Sequence, residues 1–172
     1  MFIQGDVLAF VSLLIGTCVT AWALTLAYGL LFPGKCWVAQ QEVSANPWKC
    51  IGRGVLAVLT VGLIGFVLVA QPSPVGKLLG WVVLVGVFSV ASLGMAGAAL
   101  NAGERLQKLA PETNHYAAFS KGAAILIVGC IFPVVGWLGF APVLFLASIG
   151  AGVKALTTHV IEQEPVASAE TM

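Results

Sequence analysis

The sequence GAAILIVGCIFPVVGWLGFAPVLFLASIGAGV, residues Gly122–Val153, decides the fold because the Cys130 thiol is its only ionisable side chain. As one helix it would be about 48 Å long, at about 1.5 Å per residue. A hydrocarbon core of about 30 Å would force a tilt of about 50°, beyond the usual range of about 0–40°. Pro133 removes a backbone donor, and two glycines and a second proline follow it closely. We therefore predict two apolar arms folded about Pro133–Trp137.

The composition indicates that most of the chain is solvated by lipid. Of 172 residues, 59% are hydrophobic and 9% are charged, whereas soluble domains carry about 25% charged residues. We predict one transmembrane helical domain over residues 1–155 and a polar, disordered tail over residues 156–172. The net charge of +1 gives no general attraction to nucleic acid, so no nucleic-acid partner is expected.

Three further apolar segments, Val7–Phe32, Gly54–Ala70 and Leu78–Leu100, precede the broken one. Together they predict an all-α, polytopic membrane helix bundle of four long apolar segments, the last broken into a helical hairpin. Its arms measure about 26 and 24 Å, which is marginal for spanning. Four and five crossings, or a re-entrant hairpin, therefore remain open.

Two polar segments, Pro33–Arg53 and Asn101–Lys121, separate the apolar ones and are predicted to be loops. Trp37 and Trp48 suit the headgroup level, where an indole keeps its ring in lipid and its N–H in water. Between them, WVAQQEVSA favours a short helix lying on the membrane and ending at Asn46-Pro47.

The distribution of Lys and Arg predicts the orientation. With five crossings and an external N-terminus, Lys77 alone lies outside, and loops 33–53 and 101–121 face the cytoplasm of a cell with an inner membrane. Four crossings would move Lys154 outside. The cytoplasmic set under five crossings is Lys35, Lys49, Arg53, Arg105, Lys108, Lys121 and Lys154.

The four apolar segments contain no Asp, Glu, Lys, Arg or His, which argues against proton-coupled transport. His115 and His159 lie in polar segments, so neither a haem nor another cofactor is expected. Cys36 and Cys50 flank the first loop, and we favour two unrelated thiols over a disulfide or half a metal site, because no CxxC pair is present. We predict no catalytic, cofactor-binding or metal-binding residue.

Small residues spaced four apart lie at the end of the third apolar segment and recur in the last one, and this spacing lets helix backbones approach closely. We favour packing within one chain over a subunit interface, although a homo-oligomer stays open. The predicted helix-packing residues are Gly94, Gly97, Ala98, Pro133, Gly136, Trp137 and Gly152.

Three local patterns carry a family resemblance: NPWKCIGRGVL, AGERL and IFPVVGWLGFAPVLFLASIGAG. Together, over roughly Pro33 to Lys154, they resemble the multi-helix membrane region of bacterial polymer-forming proteins of the bactofilin type. The chain lacks the repetitive β-strand domain of those proteins. The resemblance implies a bacterial membrane scaffold or anchor and carries over no catalytic residue.

These observations favour a non-enzymatic integral membrane scaffold or accessory subunit over a small oligomeric passive channel. Least favoured is a headgroup-modifying enzyme, which would need a polar cleft that groups Glu104, Glu112 and His115. Expected partners are membrane lipids and other membrane or membrane-associated subunits. The candidate contact residues are Trp37, Trp48, Lys49, Arg53, Arg105 and Lys108.

Overall fold

A computed structural model describes residues 2–109, 114–131 and 134–158, with side chains from residue 7 onward. Within these residues all regular secondary structure is helical, so the all-α prediction is confirmed there. The helices are α1 (Phe2–Leu31), α2 (Pro33–Ala45), α3 (Pro47–Ala70), α4 (Pro74–Leu109), α5 (His115–Ile131) and α6 (Gly136–Thr157). Nearly all of the predicted tail, residues 159–172, lies outside the described residues.

Among the described residues, four helices are long and apolar enough to cross a membrane, as predicted: α1 from Val7 onward, α3, α4 and α6. Helix α5 has 17 residues, about 25 Å, and is shorter than these four helices. The chain leaves α5 at Ile131 and enters α6 at Gly136. This interval includes the predicted break, but Pro133 itself lies outside the described residues.

Proline residues determine where three helices begin. Pro33, Pro47 and Pro74 each occupy the first position of α2, α3 and α4, where a missing N–H costs no helical hydrogen bond. Ser73 precedes α4, and its Oγ accepts a hydrogen bond from the Gly76 N–H at 3.2 Å. This is the N-cap arrangement that supplies an acceptor to a free first-turn donor.

The two polar segments are largely helical: the predicted short helix that ends at Asn46-Pro47 is confirmed as part of α2, and the loop prediction for the residues around it is corrected. The first contains all of α2 and the start of α3, so α2 begins at Pro33 and α3 at Pro47. Helix α2 packs against α4 and α6, and Cys36 and Ala39 are fully buried, so α2 belongs to the bundle. Small apolar side chains three residues apart give α2 a packing face that its polar composition conceals.

The second polar segment likewise extends its neighbouring helices. Helix α4 continues to Leu109, nine residues past the predicted end at Leu100, and α5 begins at His115.

Helix α4 is the centre of the bundle and contacts each of the other five helices. Its second half is lined with buried Gly and Ala residues, so neighbouring backbones approach it closely. A Cβ atom added at Gly94 would meet the Ser148 carbonyl of α6, and one added at Gly103 would meet the Ala118 carbonyl of α5. The bundle therefore depends on small residues more than on large interlocking side chains.

Helix α6 opens with a π-helical turn, Gly136–Phe140. Pro142 follows at once and has no N–H to donate to the Leu138 carbonyl, so the regular α-helical ladder is interrupted at that point. This turn places Gly136 against the Gly129 and Cys130 carbonyls at the end of α5.

Candidate contact surface and cleft at the polar end

Both polar segments lie at one end of the bundle. We call this the polar end, formed by residues 33–53, 101–109 and 114–121. The Gln40 side-chain amide of α2 donates a hydrogen bond of 2.7 Å to Glu104 Oε2 of α4. Arg53 Nη1 of α3 lies 2.9 Å from Glu42 Oε2 of α2. Helix α2 thus joins the start of α3 to the end of α4.

The predicted cationic contact residues occupy this end. Lys49, Arg105 and Lys108 are exposed, whereas Arg53 is half-buried in its pair with Glu42. Lys108 Nζ lies 3.6 Å from Glu104 Oε1 and is largely exposed. Within the described ranges, Lys49 and Arg105 form no ion pair, so both cations remain directed to solvent or to a partner.

The two predicted tryptophan anchors are also at this end. Trp37 in α2 is 51% exposed, and Trp48 in α3 is 82% exposed. Large exposed indoles beside cations suit a headgroup layer or a protein partner. The last turn of α6 reaches the same end, because Lys35 Nζ lies 3.5 Å from the Leu156 carbonyl.

The predicted packing residues lie in several places. Gly94, Gly97, Ala98 and Gly152 are buried in contacts of α4 with α2 and α6, and Gly136 is buried against α5. Trp137 is 53% exposed and lines an apolar cavity between α1, α4 and α5. Pro133 lies outside the described residues.

A cleft of about 610 Å³ opens at the polar end where four helices meet. Its lining mixes aromatic, apolar and polar groups, which is typical of a ligand pocket. The residues that line it include Gly29 and Leu30 of α1, Trp37 and Gln40 of α2, Leu100 and Glu104 of α4, and His115, Tyr116 and Phe119 of α5.

This cleft brings together two of the three residues required by the enzyme alternative. Glu104 and His115 both line it, whereas Glu112 lies outside the described residues. The Glu104 carboxylate is held by Gln40 on one oxygen and approached by Lys108 on the other. An ionised carboxylate fixed in this way can accept further donors from a bound cation.

The cysteines that flank the first polar segment are free and fully buried. Cys36 Sγ donates to the Tyr28 carbonyl at 3.5 Å and lies 4.0 Å from the Leu93 carbonyl. Burial raises the pKa of the Cys36 thiol to about 11. The thiol is therefore a neutral packing group between α1, α2 and α4. Among the described residues, no three His, Cys, Asp or Glu side chains cluster as a metal site would require.

The chain matches no protein-family model, no curated protein and no solved structure.

Sequence reasoning missed two features of that geometry. One is the Gln40–Glu104 contact, which joins residues 64 positions apart and leaves no signal in local composition. The other is the buried face of α2, for which a signal was present: Cys36, Ala39 and Val43 recur at helical spacing.

Proposed function

We propose that the chain is a multi-pass protein of a bacterial inner membrane that acts as a non-enzymatic scaffold or accessory subunit. Its polar end anchors or assembles partner proteins on the cytoplasmic side, and its N-terminus lies outside. Four helices of sufficient length and apolarity support the membrane assignment. The positive-inside bias of Lys and Arg supports the orientation.

The observation that carries the docking role is the shared position of the two cationic segments. Contacts of α2 with both α3 and α4 gather these segments at one end, where Trp37, Trp48, Lys49 and Arg105 are exposed. Interfaces favour aromatic residues and Arg in this combination, and anionic headgroups attract such cations at about 1 kcal/mol each. The resemblance to bactofilin-type membrane regions stays a prediction and points to the same role.

Purification of the full chain in mild detergent tests this proposal. We expect a stoichiometric partner with the wild type and its loss from the double variant Lys49→Gln/Arg105→Gln. Lys77→Gln is the matched control, because Lys77 begins α4 at the opposite end of the bundle. A lone monomer, or equal partner recovery from all three proteins, would contradict the proposal.

The small-residue face of α4 bears on the channel alternative, which would use that face between subunits. Gly94, Gly97 and Gly103 contact α6, α2 and α5 of the same chain. The face is therefore occupied within the bundle, and we rank the channel below the scaffold.

A headgroup-modifying enzyme is the second candidate, because the cleft places Glu104 and His115 on a common surface. Mass analysis of phospholipids incubated with the purified chain tests it. A modified headgroup that disappears with His115→Gln would favour the enzyme over the scaffold.

A further inference from the structure

The cleft at the polar end has the composition of a site for a small cation attached to an apolar body. Glu104 is the only Asp, Glu, Lys or Arg residue among the described residues that line it. Leu30, Leu100 and Phe119 supply apolar wall, and Trp37 and Tyr116 supply aromatic rings at half exposure. A carboxylate next to aromatic rings attracts an ammonium group both by charge and through the ring quadrupoles.

The end of α1 contributes a backbone carbonyl without a helical donor near the same cleft. Gly29 and Pro33 both line the cleft, and Gly29 has only backbone atoms to present. Pro33 has no N–H, so the Gly29 carbonyl does not receive the hydrogen bond that the fifth residue of a helix normally supplies. The last turn of α1 also carries the partial negative charge of a helix C-terminus, which favours cations.

We infer that this cleft binds the primary ammonium group of a membrane lipid headgroup, such as that of phosphatidylethanolamine. A primary ammonium has three N–H donors, and they match the Glu104 carboxylate, the Gly29 carbonyl and the ring face of an aromatic neighbour. The lining of the cleft suits a lipid, because it includes Trp37, an indole of the kind that favours the headgroup level, together with Leu30 of α1 and Leu100 of α4. The inference rests on the proposed membrane location, and the cleft shares Trp37 with the proposed docking surface.

Lys108 competes with a ligand for the Glu104 carboxylate. Its ammonium lies 3.6 Å from Glu104 Oε1 but is largely exposed, so it is a weak intramolecular occupant of the same carboxylate. A lipid ammonium competes with it for that oxygen. The Gln40 amide stays on the other oxygen and holds the carboxylate in place.

Native mass spectrometry of the full chain in detergent, with phosphatidylethanolamine, phosphatidylcholine and phosphatidylglycerol at equal concentration, tests the inference. We expect phosphatidylethanolamine to be retained about tenfold better than the other two, because trimethylation removes every N–H and the glycerol headgroup has no cation. Equal retention of phosphatidylcholine, or preference for phosphatidylglycerol, would overturn it.

Substitutions test whether the selectivity for phosphatidylethanolamine arises from the cleft. Glu104→Gln keeps the side-chain shape and should reduce retention of phosphatidylethanolamine about tenfold, while Lys108→Gln should increase it. Glu42→Gln is the matched control, since Glu42 pairs with Arg53 and does not line the cleft. Trp37→Leu provides a second variant at an exposed position and should also weaken retention. Unchanged selectivity in both Glu104→Gln and Trp37→Leu would overturn the site.

Two further measurements distinguish a lipid from a soluble amine as the ligand, and failure of the cleft from failure of the scaffold role. Glycerophosphoethanolamine in excess should not displace the lipid, and displacement would identify a soluble amine as the ligand. The Glu104→Gln variant should keep the protein partner that Lys49→Gln/Arg105→Gln loses. A wild-type chain that shows no lipid selectivity but retains the partner would therefore reject the cleft and leave the scaffold role intact.

Discussion

At the scale of single residues, the closest helix contacts depend on the absence of a side chain. Gly94 of α4 lies directly against the Ser148 carbonyl of α6, and a backbone carbonyl cannot rotate away as a flexible side chain can. Gly86, two turns earlier on α4, has open space where its Cβ would be. The same substitution at these two positions therefore isolates the effect of packing.

We expect Gly94→Ala to destabilise the bundle by about 1–3 kcal/mol, because the added methyl group separates α4 from α6. Gly86→Ala should be neutral or stabilising by up to about 1 kcal/mol through helix propensity alone. Thermal unfolding of both variants in the same detergent measures the difference. Equal melting temperatures would show that α4 and α6 are not in contact at Gly94.

Cys36 gives a pH dependence whose sign follows from its burial. The thiol pKa rises from 9.0 to about 11 in the fold, so the unfolded chain ionises first. Below pH 9 the thiol is protonated in both states and stability is unaffected. Between pH 9 and 11 the unfolded state binds fewer protons than the folded state, so stability falls as pH rises.

The expected result is a larger loss of stability between pH 8.5 and 10.5 in the wild type than in Cys36→Ala, on the order of 1–2 kcal/mol. The comparison cancels the titration of Lys and Tyr residues common to both proteins. Alkylation provides an independent check, because the Cys36 thiol should resist modification until the chain unfolds. Rapid alkylation of Cys36 in the folded protein would contradict its buried position.

At the scale of helices, α2 links the first and second halves of the chain. Its buried side carries Cys36 and Ala39, and its polar side carries Gln40 and Glu42, which contact α4 and α3. This division explains why its mean composition is polar although it packs inside the bundle. The α2–α3 junction is held in part by the Glu42–Arg53 pair, whose side chains are 23% and 38% exposed.

A double-mutant cycle measures that pair. Glu42→Gln, Arg53→Gln and the double variant should give a coupling energy of about 0.5 kcal/mol at low salt, because partly exposed ion pairs are screened by water. High salt should reduce it. Zero coupling at low salt would show that the pair does not link α2 to α3.

The apolar helices could be predicted from the sequence because length and hydropathy alone determine them. Helix α3 from Gly54 to Ala70 and the centre of α4 required no knowledge of a partner surface. Helix α2 was harder to predict: its sequence indicated a short helix on the membrane surface, and only its packing against α4 shows that it belongs to the bundle. The cleft was the hardest feature to predict from the sequence, because Glu104, His115 and Gln40 are brought together only by the packing of three helices.

At the scale of the whole molecule, the contacts of α2 place charged residues of several helices at one end of the bundle, and Lys77 lies at the other end. Lys35 reaches the end of α6, and Arg53 and Glu104 both contact α2, whereas Lys77 lies at the far end of α4, beside the turn that follows α3. Since the end of α6 and all of α2 share one end, we predict that residues 44 and 157 lie on the same side of the membrane. With the proposed external N-terminus this prediction corresponds to five crossings.

Accessibility of single introduced cysteines to a membrane-impermeant thiol reagent tests that topology. Ser44→Cys and Thr157→Cys should be labelled only after the inner membrane is opened, because both positions are exposed at the polar end. Gln71→Cys, exposed in the turn between α3 and α4, should be labelled in intact spheroplasts. The wild-type chain is the control for labelling of the four native cysteines, of which Cys36 and Cys50 are buried and Cys18 and Cys130 are partly buried in apolar helices. Labelling of residues 44 and 157 from opposite sides would indicate four crossings, and it would require α6 to leave the position that places Leu156 beside Lys35.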